Sequence, residues 1–480
     1  MAPARLKLLA ITLARRRRLV SPAAVGAAGG LAAVVVGAAM TQRITLGLGL
    51  AIAVVYVALV FSNLPLAIGV WVVIVFLSGF PGLGGVPTAS SIVLLVAWIG
   101  ILGSGTAPLR AMASQHARLI AGVLALTTWF ALTIAWATNP SLGAQSLKTL
   151  VIALATFMIV ATTVTSRDVV RLIASAFVAG AVVAVVLAQA IEGLHPAASA
   201  VRTAAIDDAR LQSGASDPNY LAAVVVAALV LAGGLAAFDR RARVRLTLAA
   251  GSLVLLYGLL ATQSRGGFLA AIAALLCALA IFKSGRGQVL LGIVVVCALA
   301  AFFFALNPLA LQRVTTLDGG GNGRAQLWDI AWLVARDHPL GGVGTGNFVE
   351  VERDYLREAE PQRFSELIAE RPHVVHNLYL QTLAETGVVG LVLLLALIVA
   401  LLRTFLRAAR RFDDLGDGAM ASLARALFVA LIGMLTASFF LSNGTDRRYW
   451  ILFALGPAML SVAARDARAI RAPRPAHGSS

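Results

Sequence analysis

The stretch Gln288-Val-Leu-Leu-Gly-Ile-Val-Val-Val-Cys-Ala-Leu-Ala-Ala-Phe-Phe-Phe-Ala-Leu306 contains no charged residue. At 1.5 Å of rise per residue, a helix of this length is about 28 Å long, close to the roughly 30 Å hydrocarbon core of a bilayer. Its apolar residues run on without the alternation that a barrel strand needs. The stretch therefore reads as a transmembrane helix. Working outward, similar runs lie near 19–41, 44–62, 64–80, 89–103, 118–138, 147–165 and 169–191, then near 219–238, 245–262, 267–282, 387–403, 421–441 and 449–464. The reading is an all-α, polytopic helix bundle of about fourteen spans, or twelve to thirteen if the short second to fourth runs merge or re-enter.

Composition agrees. Of 480 residues 59% are hydrophobic and 13% charged, with a mean hydropathy of +0.88, whereas soluble domains carry about 25% charged residues. A cytosolic enzyme, a disordered chain and a disulfide scaffold are excluded. The two cysteines, Cys277 and Cys297, both sit inside apolar runs and read as small hydrophobes.

A net charge of +17 could signal nucleic-acid binding, but the charges follow the membrane instead. The N-terminus carries Arg5, Lys7 and Arg15 to Arg18 ahead of an apolar run too long for a cleavable signal. A cytoplasmic N-terminus then gives the inner segments 25 Lys and Arg against 6 acids, and the outer segments 14 against 16. This is the positive-inside pattern, and contact with anionic lipid accounts for the excess without nucleic acid. The expected organisation is a bundle over 1–306 with a small outer loop at 192–219, a large outer loop at 307–386, further spans over 387–464 and a cytoplasmic tail at 465–480.

Chemistry is expected in the outer loops. Within 307–386, Arg324 opens a segment to Asp337 with helical spacing and an apolar face of Leu327, Ile330, Ala331 and Val334. His338-Pro339 ends it, and Leu340-Gly-Gly-Val-Gly-Thr-Gly-Asn-Phe348 follows. Those glycines suit either a tight turn or a backbone cradle for phosphate. Then comes His373-Val-Val-His376-Asn377, which leads through Glu385, Gly387 and Gly390 into the next span. Ser264-Arg265-Gly266-Gly267 and Asp217-Pro218-Asn219 lie at outer ends of earlier spans.

Together, Gly323-Arg324 with Trp328, Pro339-Leu340-x-Gly-x-Gly with Phe348, and His376-Asn377-x-x-Leu380-x-x-Leu383-x-Glu385-x-Gly387-x-x-Gly390 resemble the O-antigen ligase and polymerase family, as do the Ser264 and Asp217 motifs. These are integral membrane glycosyltransferases that move glycans from a polyprenyl diphosphate carrier. The resemblance implies a GT-C-like fold in the bacterial inner membrane, with the active site on the periplasmic or extracellular face. It implies displacement of undecaprenyl (polyprenyl) diphosphate from a sugar anomeric carbon by an acceptor hydroxyl. The outer loops hold no cluster of Asp, Glu and His with metal spacing, so neither metal nor cofactor is expected. For that reaction Arg265 and Arg324 would stabilise the leaving diphosphate, and His376 would serve as general base. Arg210, Asn377, Glu385 and Trp328 would contribute to substrate binding. The partners would be a carrier-linked glycan, a lipid or glycan acceptor and membrane lipid. A repeat-unit polymerase on the same carrier is the alternative. A secondary transporter or flippase is disfavoured, because the spans hold almost no mid-membrane charge.

Overall fold

The computed structural model describes residues 44–80, 82–103, 105, 107–194, 211, 217–237, 239–315, 324–356 and 373–471. The expected span near 19–41, together with Arg202 and Arg210 of the smaller loop, lies outside the described residues. Among those described, regular structure is entirely helical. Ten helices are long and apolar enough to cross a membrane, and three shorter apolar ones accompany them. These thirteen coincide with the expected runs from 44–62 onward, so the chain is a polytopic membrane helix bundle.

Two compact units divide the chain, Met1–Ala67 and Ile68–Ser480. The first includes α1 (Ile44–Ser62), and the short apolar helix α2 is Leu64–Val75. At 12 residues α2 is about 18 Å long, well below bilayer thickness. The second unit continues with α3 (Gly85–Gly103), α4 (Ala107–Gln115), α5 (Ala117–Thr133), α6 (Pro140–Thr163), α7 (Arg167–Leu194), α8 (Pro218–Ala236), α9 (Ala242–Ala261), α10 (Arg265–Ile281) and α11 (Arg286–Leu306). The polar region carries α12 (Pro308–Thr315), α13 (Arg324–Asp337) and α14 (Phe348–Tyr355), and the chain closes with α15 (Leu378–Asp414), α16 (Gly418–Ala437) and α17 (Arg447–Arg471).

Caps fix where the spans begin. Asn139 and Asp217 each precede a proline at the first helical position, and their side chains accept from the backbone N–H groups of Ser141 and Asn219 respectively. Ser264, Asn377 and Asp417 cap α10, α15 and α16 in the same way. Small residues then let the helices approach. A Cβ on Gly234 would lie 2.5 Å from Ala426 Cβ, and one on Gly267 would lie 2.6 Å from Ala222 Cβ. Helices α8, α10 and α16 accordingly form the tight centre, with α15 and α17 packed on it. Leu221 to Ala228 are all buried, whereas α11 has no buried residue among those described.

The helices overrun the apolar stretches that announced them. α15 starts at Leu378, nine residues before the apolar run, and is kinked at Gly387 (φ 68°, ψ −173°). It continues past Arg403, Arg407, Arg410 and Arg411, which lie on helix instead of in a loop. Nothing in that segment breaks a helix until Gly416 takes φ 70°.

Candidate functional site

Three of the quoted motifs meet through helix caps. Asp217 Oδ1 accepts from Asn219 N at 2.8 Å and from Asn219 Nδ2 at 2.6 Å. Asn219 Oδ1 in turn accepts from Ser264 Oγ at 2.5 Å, while Ser264 Oγ accepts from Gly267 N at 3.0 Å. The N-termini of α8 and α10 are thereby tied side by side, which sets Arg265 at the first position of α10. On its other oxygen, Asp217 faces Arg324 Nη2 at 4.0 Å, at the first residue of α13. Both side chains are about a quarter exposed, so the pair is reachable from solvent and its attraction is modest.

His376 completes the cluster electrostatically. Burial first, and then the Arg324 charge, hold its imidazole below the ordinary histidine value of 6.5, with Asp217 opposing them. The ring is therefore neutral near pH 7. Its Nδ1 is buried and has no hydrogen-bond partner among the described residues. Among the described residues only two non-glycines take positive φ, Gln263 (49°) and His376 (53°). One immediately precedes Ser264-Arg265 and the other is the candidate base. Strained backbone of this kind persists where surrounding contacts over-determine it, and it concentrates at functional sites.

Those contacts are visible around His376. His373 N donates to Glu352 Oε1 at 2.8 Å, Trp328 Nε1 donates to Val375 O at 3.1 Å, and Asn377 Oδ1 accepts from Tyr379 N and Leu380 N at 3.0 and 3.1 Å. Leu327, Ile330, Ala331 and Val334, the expected apolar face of α13, are buried against Val343, Phe348 and Val375. Trp328 and Asn377 thus hold the segment that carries His376. The Trp328 ring also lies 6.1 Å from Phe440, which packs on Gly266. Glu352 is fully buried in α14, and desolvation pushes its carboxyl up to about 7.

The glycine-rich loop is a tight turn against α15. Val343 N, Gly344 N and Gly346 N donate to Ala384 O, Glu385 O and Glu385 Oε2 at 3.1, 2.8 and 2.8 Å. Val388 N donates back to Pro339 O at 2.8 Å. These N–H groups are engaged within the protein, so the loop does not present them as a phosphate cradle. Glu385 is central to the turn, since its Oε1 also accepts from Gln381 Nε2 at 2.9 Å.

Residues from much earlier in the chain anchor the same loop. Trp129 Nε1 donates to Thr386 O at 2.9 Å and Trp136 Nε1 to Gly342 O at 3.1 Å. Thr133 Oγ1 and Thr345 Oγ1 lie 2.8 Å apart, and Asn347 Oδ1 accepts from Asn139 N at 2.6 Å. Sequence reading missed all of these. The only local signal was Asn139-Pro140 as a helix start. The later Asp446-Arg447-Arg448 segment also folds inward, with Arg448 Nη2 at 2.6 Å from Asp446 Oδ2 and Arg447 donating to Ser91 Oγ at 3.1 Å.

Residues 250–395 match the family model described as O-antigen ligase. That segment contains Arg265, Arg324, the glycine-rich loop and His376, while Asp217, Asn219 and the α5–α6 anchors precede it. No curated protein gives a significant match to the chain.

Proposed function

We infer, for a chain whose residues 250–395 match the family model described as O-antigen ligase, that it transfers a glycan from undecaprenyl or a similar polyprenyl diphosphate to an acceptor hydroxyl. The convergence of the Asp217, Ser264-Arg265 and Arg324 motifs carries this reading. An acceptor oxygen attacks the anomeric carbon, the bond from that carbon to the diphosphate oxygen breaks, and the acceptor proton passes to His376. The neutral imidazole suits the task, and a positioned base of this kind contributes about 10²- to 10⁴-fold. Negative charge grows on the departing diphosphate, where the Arg265 and Arg324 guanidinium groups stabilise it, each by about 10²- to 10³-fold on the scale of a preorganised donor. The N-terminal ends of α8, α10 and α13 add positive potential there.

Asp217 orients Arg324 and keeps the imidazole from losing too much basicity. Trp328, Asn377 and Glu385 act as positioning residues, and Arg210 is assigned to glycan or phosphate contact from its place in the smaller loop. The positive-inside distribution supports a multi-pass protein of the bacterial inner membrane with the site on its outer face. The purified protein, given carrier-linked oligosaccharide with and without a lipid acceptor, tests the reading by mass analysis of products. Transfer only with the acceptor identifies a ligase, and a ladder of longer carrier-linked products without it identifies a polymerase. If the carrier-linked glycan stays intact in detergent, where no gradient exists, the reading fails.

A further inference from the structure

Behind the first turns of α15 lies a cavity of about 180 Å³ that contains none of the Arg and His groups described above. Its polar wall includes Ser146, Thr149, Thr345, Gln381, Glu385 and Ser442. Phe130 and Trp450 supply aromatic surface. Space of this size admits about a dozen water-sized groups, which is the bulk of one monosaccharide unit. With Glu385 as the one ionisable wall residue and no cation among those lining it, the cavity is unsuited to a diphosphate. Its wall is mixed, with Leu126, Leu150, Leu378 and Leu394 beside the hydroxyls, and such a lining matches the apolar faces and hydroxyl edges of a sugar ring better than a uniformly apolar lipid tail, which would leave the polar groups unpaired.

Two wall atoms point to hydroxyl ligands. Gln381 Oε1 and Ser442 Oγ are buried, yet neither finds a hydrogen-bond partner among the described residues. The Gln381 amide cannot turn to relieve this without loss, because its Nε2 donates to Glu385 Oε1 at 2.9 Å while Glu385 Oε2 is held by Gly346 N at 2.8 Å. Gln381 therefore presents a fixed acceptor, and Ser442 an adjustable donor and acceptor. Leu378, which also lines the cavity, is two residues beyond His376, and Gln381 is one turn further along α15. A ligand there sits within about two helical turns of the candidate base.

We propose that this cavity binds one uncharged sugar unit of a glycan substrate, with Gln381 and Ser442 reading its hydroxyl groups and Glu385 positioning Gln381. The assignment rests on the glycan-transfer reading above. The sugar can belong to the donor or to the acceptor, and the two sources are separable. Saturation-transfer NMR on the full chain in detergent would use two probes, the neutral oligosaccharide released from its carrier by mild acid and the delipidated, dephosphorylated acceptor glycan. One probe is expected to show contact, and Gln381→Leu and Ser442→Ala should each weaken it about tenfold, the scale of one or two lost buried hydrogen bonds. Ser442→Ala removes an oxygen without a partner among the described residues, so it isolates the ligand contact from folding. In transfer assays Gln381→Leu should raise KM about tenfold for the substrate that carries the bound glycan, and not for the other. Absence of contact with either probe, or wild-type binding in both variants, overturns the proposal. Gln381-dependent sugar binding without any glycan transfer would uphold the cavity and refute the glycosyltransferase reading; transfer with wild-type KM values in both variants would do the reverse.

Discussion

Gly387 and Gly416 both take positive φ, and alanine at each tests what holds α15 in place. Their φ angles are 68° and 70°, and at Gly387 ψ is −173°, a region that essentially only glycine enters, so the backbone penalty for alanine there is about 1–3 kcal/mol against about 1–2 kcal/mol for a left-handed site. Reduced freedom of the unfolded chain returns about 0.4–1 kcal/mol of this. The surroundings differ. A Cβ on Gly416 meets nothing within 4 Å, whereas one on Gly387 would run into the Leu340 carbonyl and lie 2.6 Å from Gly341 N. Those atoms are backbone and belong to the loop that α15 holds through Val343 N, Gly344 N and Val388 N. Making room displaces the loop and breaks one or two of those bonds, each worth about 1 kcal/mol. Gly416→Ala should therefore destabilise by about 1 kcal/mol and Gly387→Ala by about 2–4 kcal/mol. Reversible SDS unfolding in mixed micelles, followed by circular dichroism, measures both. Equal losses at the two sites would show that the loop yields freely, and the clamp on α15 would then have no energetic content.

Three further outcomes are expected. Because His376 must be neutral to accept a proton, activity should persist above its depressed pKa and fall as pH drops through it; Asp217→Asn should move that acid limb lower and Arg324→Gln should move it higher, and unmoved limbs would exclude His376 as the titrating base. Glu352, pushed up to about 7 when folded, keeps a proton that the unfolded chain has lost, so stability should fall as pH rises from 4.5 to about 7. Glu352→Gln should flatten that slope, and an unchanged slope would assign it to other groups. Asn377→Ala removes the α15 cap and should destabilise by about 1 kcal/mol, with a larger proportional loss of transfer; intact transfer would separate the cap from the placement of His376.

The spans were legible because lipid demands long apolar runs, and the α13 face because four apolar residues recur at helical spacing. Helix ends were less so, since α15 extends through polar flanks where hydropathy gives no signal but capping and helix propensity still hold. At the site, Arg324 and His376 stood out through residue type together with the family resemblance of their motifs, and both lie in one cluster with Asp217. What could not be read was the join between Asn219 and Ser264, or the four anchors from Trp129 to Asn139. Such contacts depend on how α5, α8 and α10 cross, and nothing in the local pattern around Asn219 or Thr133 encodes their distant partners. The glycine-rich loop was legible as flexible backbone only; Glu385, by capturing Gly346 N, decides which of its two readings applies.

The anchoring of the loop from α5 also sets a delay in the making of the protein. Thr133 and Thr345 are 212 residues apart, and synthesis at roughly 5–20 residues per second separates them by about 10–40 s. Throughout that interval the indoles of Trp129 and Trp136 have no Thr386 or Gly342 carbonyl to bind, and α5 waits in the bilayer as an unfinished surface. The cluster of Asp217 and Arg324 is joined still later, when His376 emerges. Under the function proposed above, a growing chain passes through insertion before its base is in place, and a truncated product ending before α15 is expected to leave a carrier-linked glycan intact.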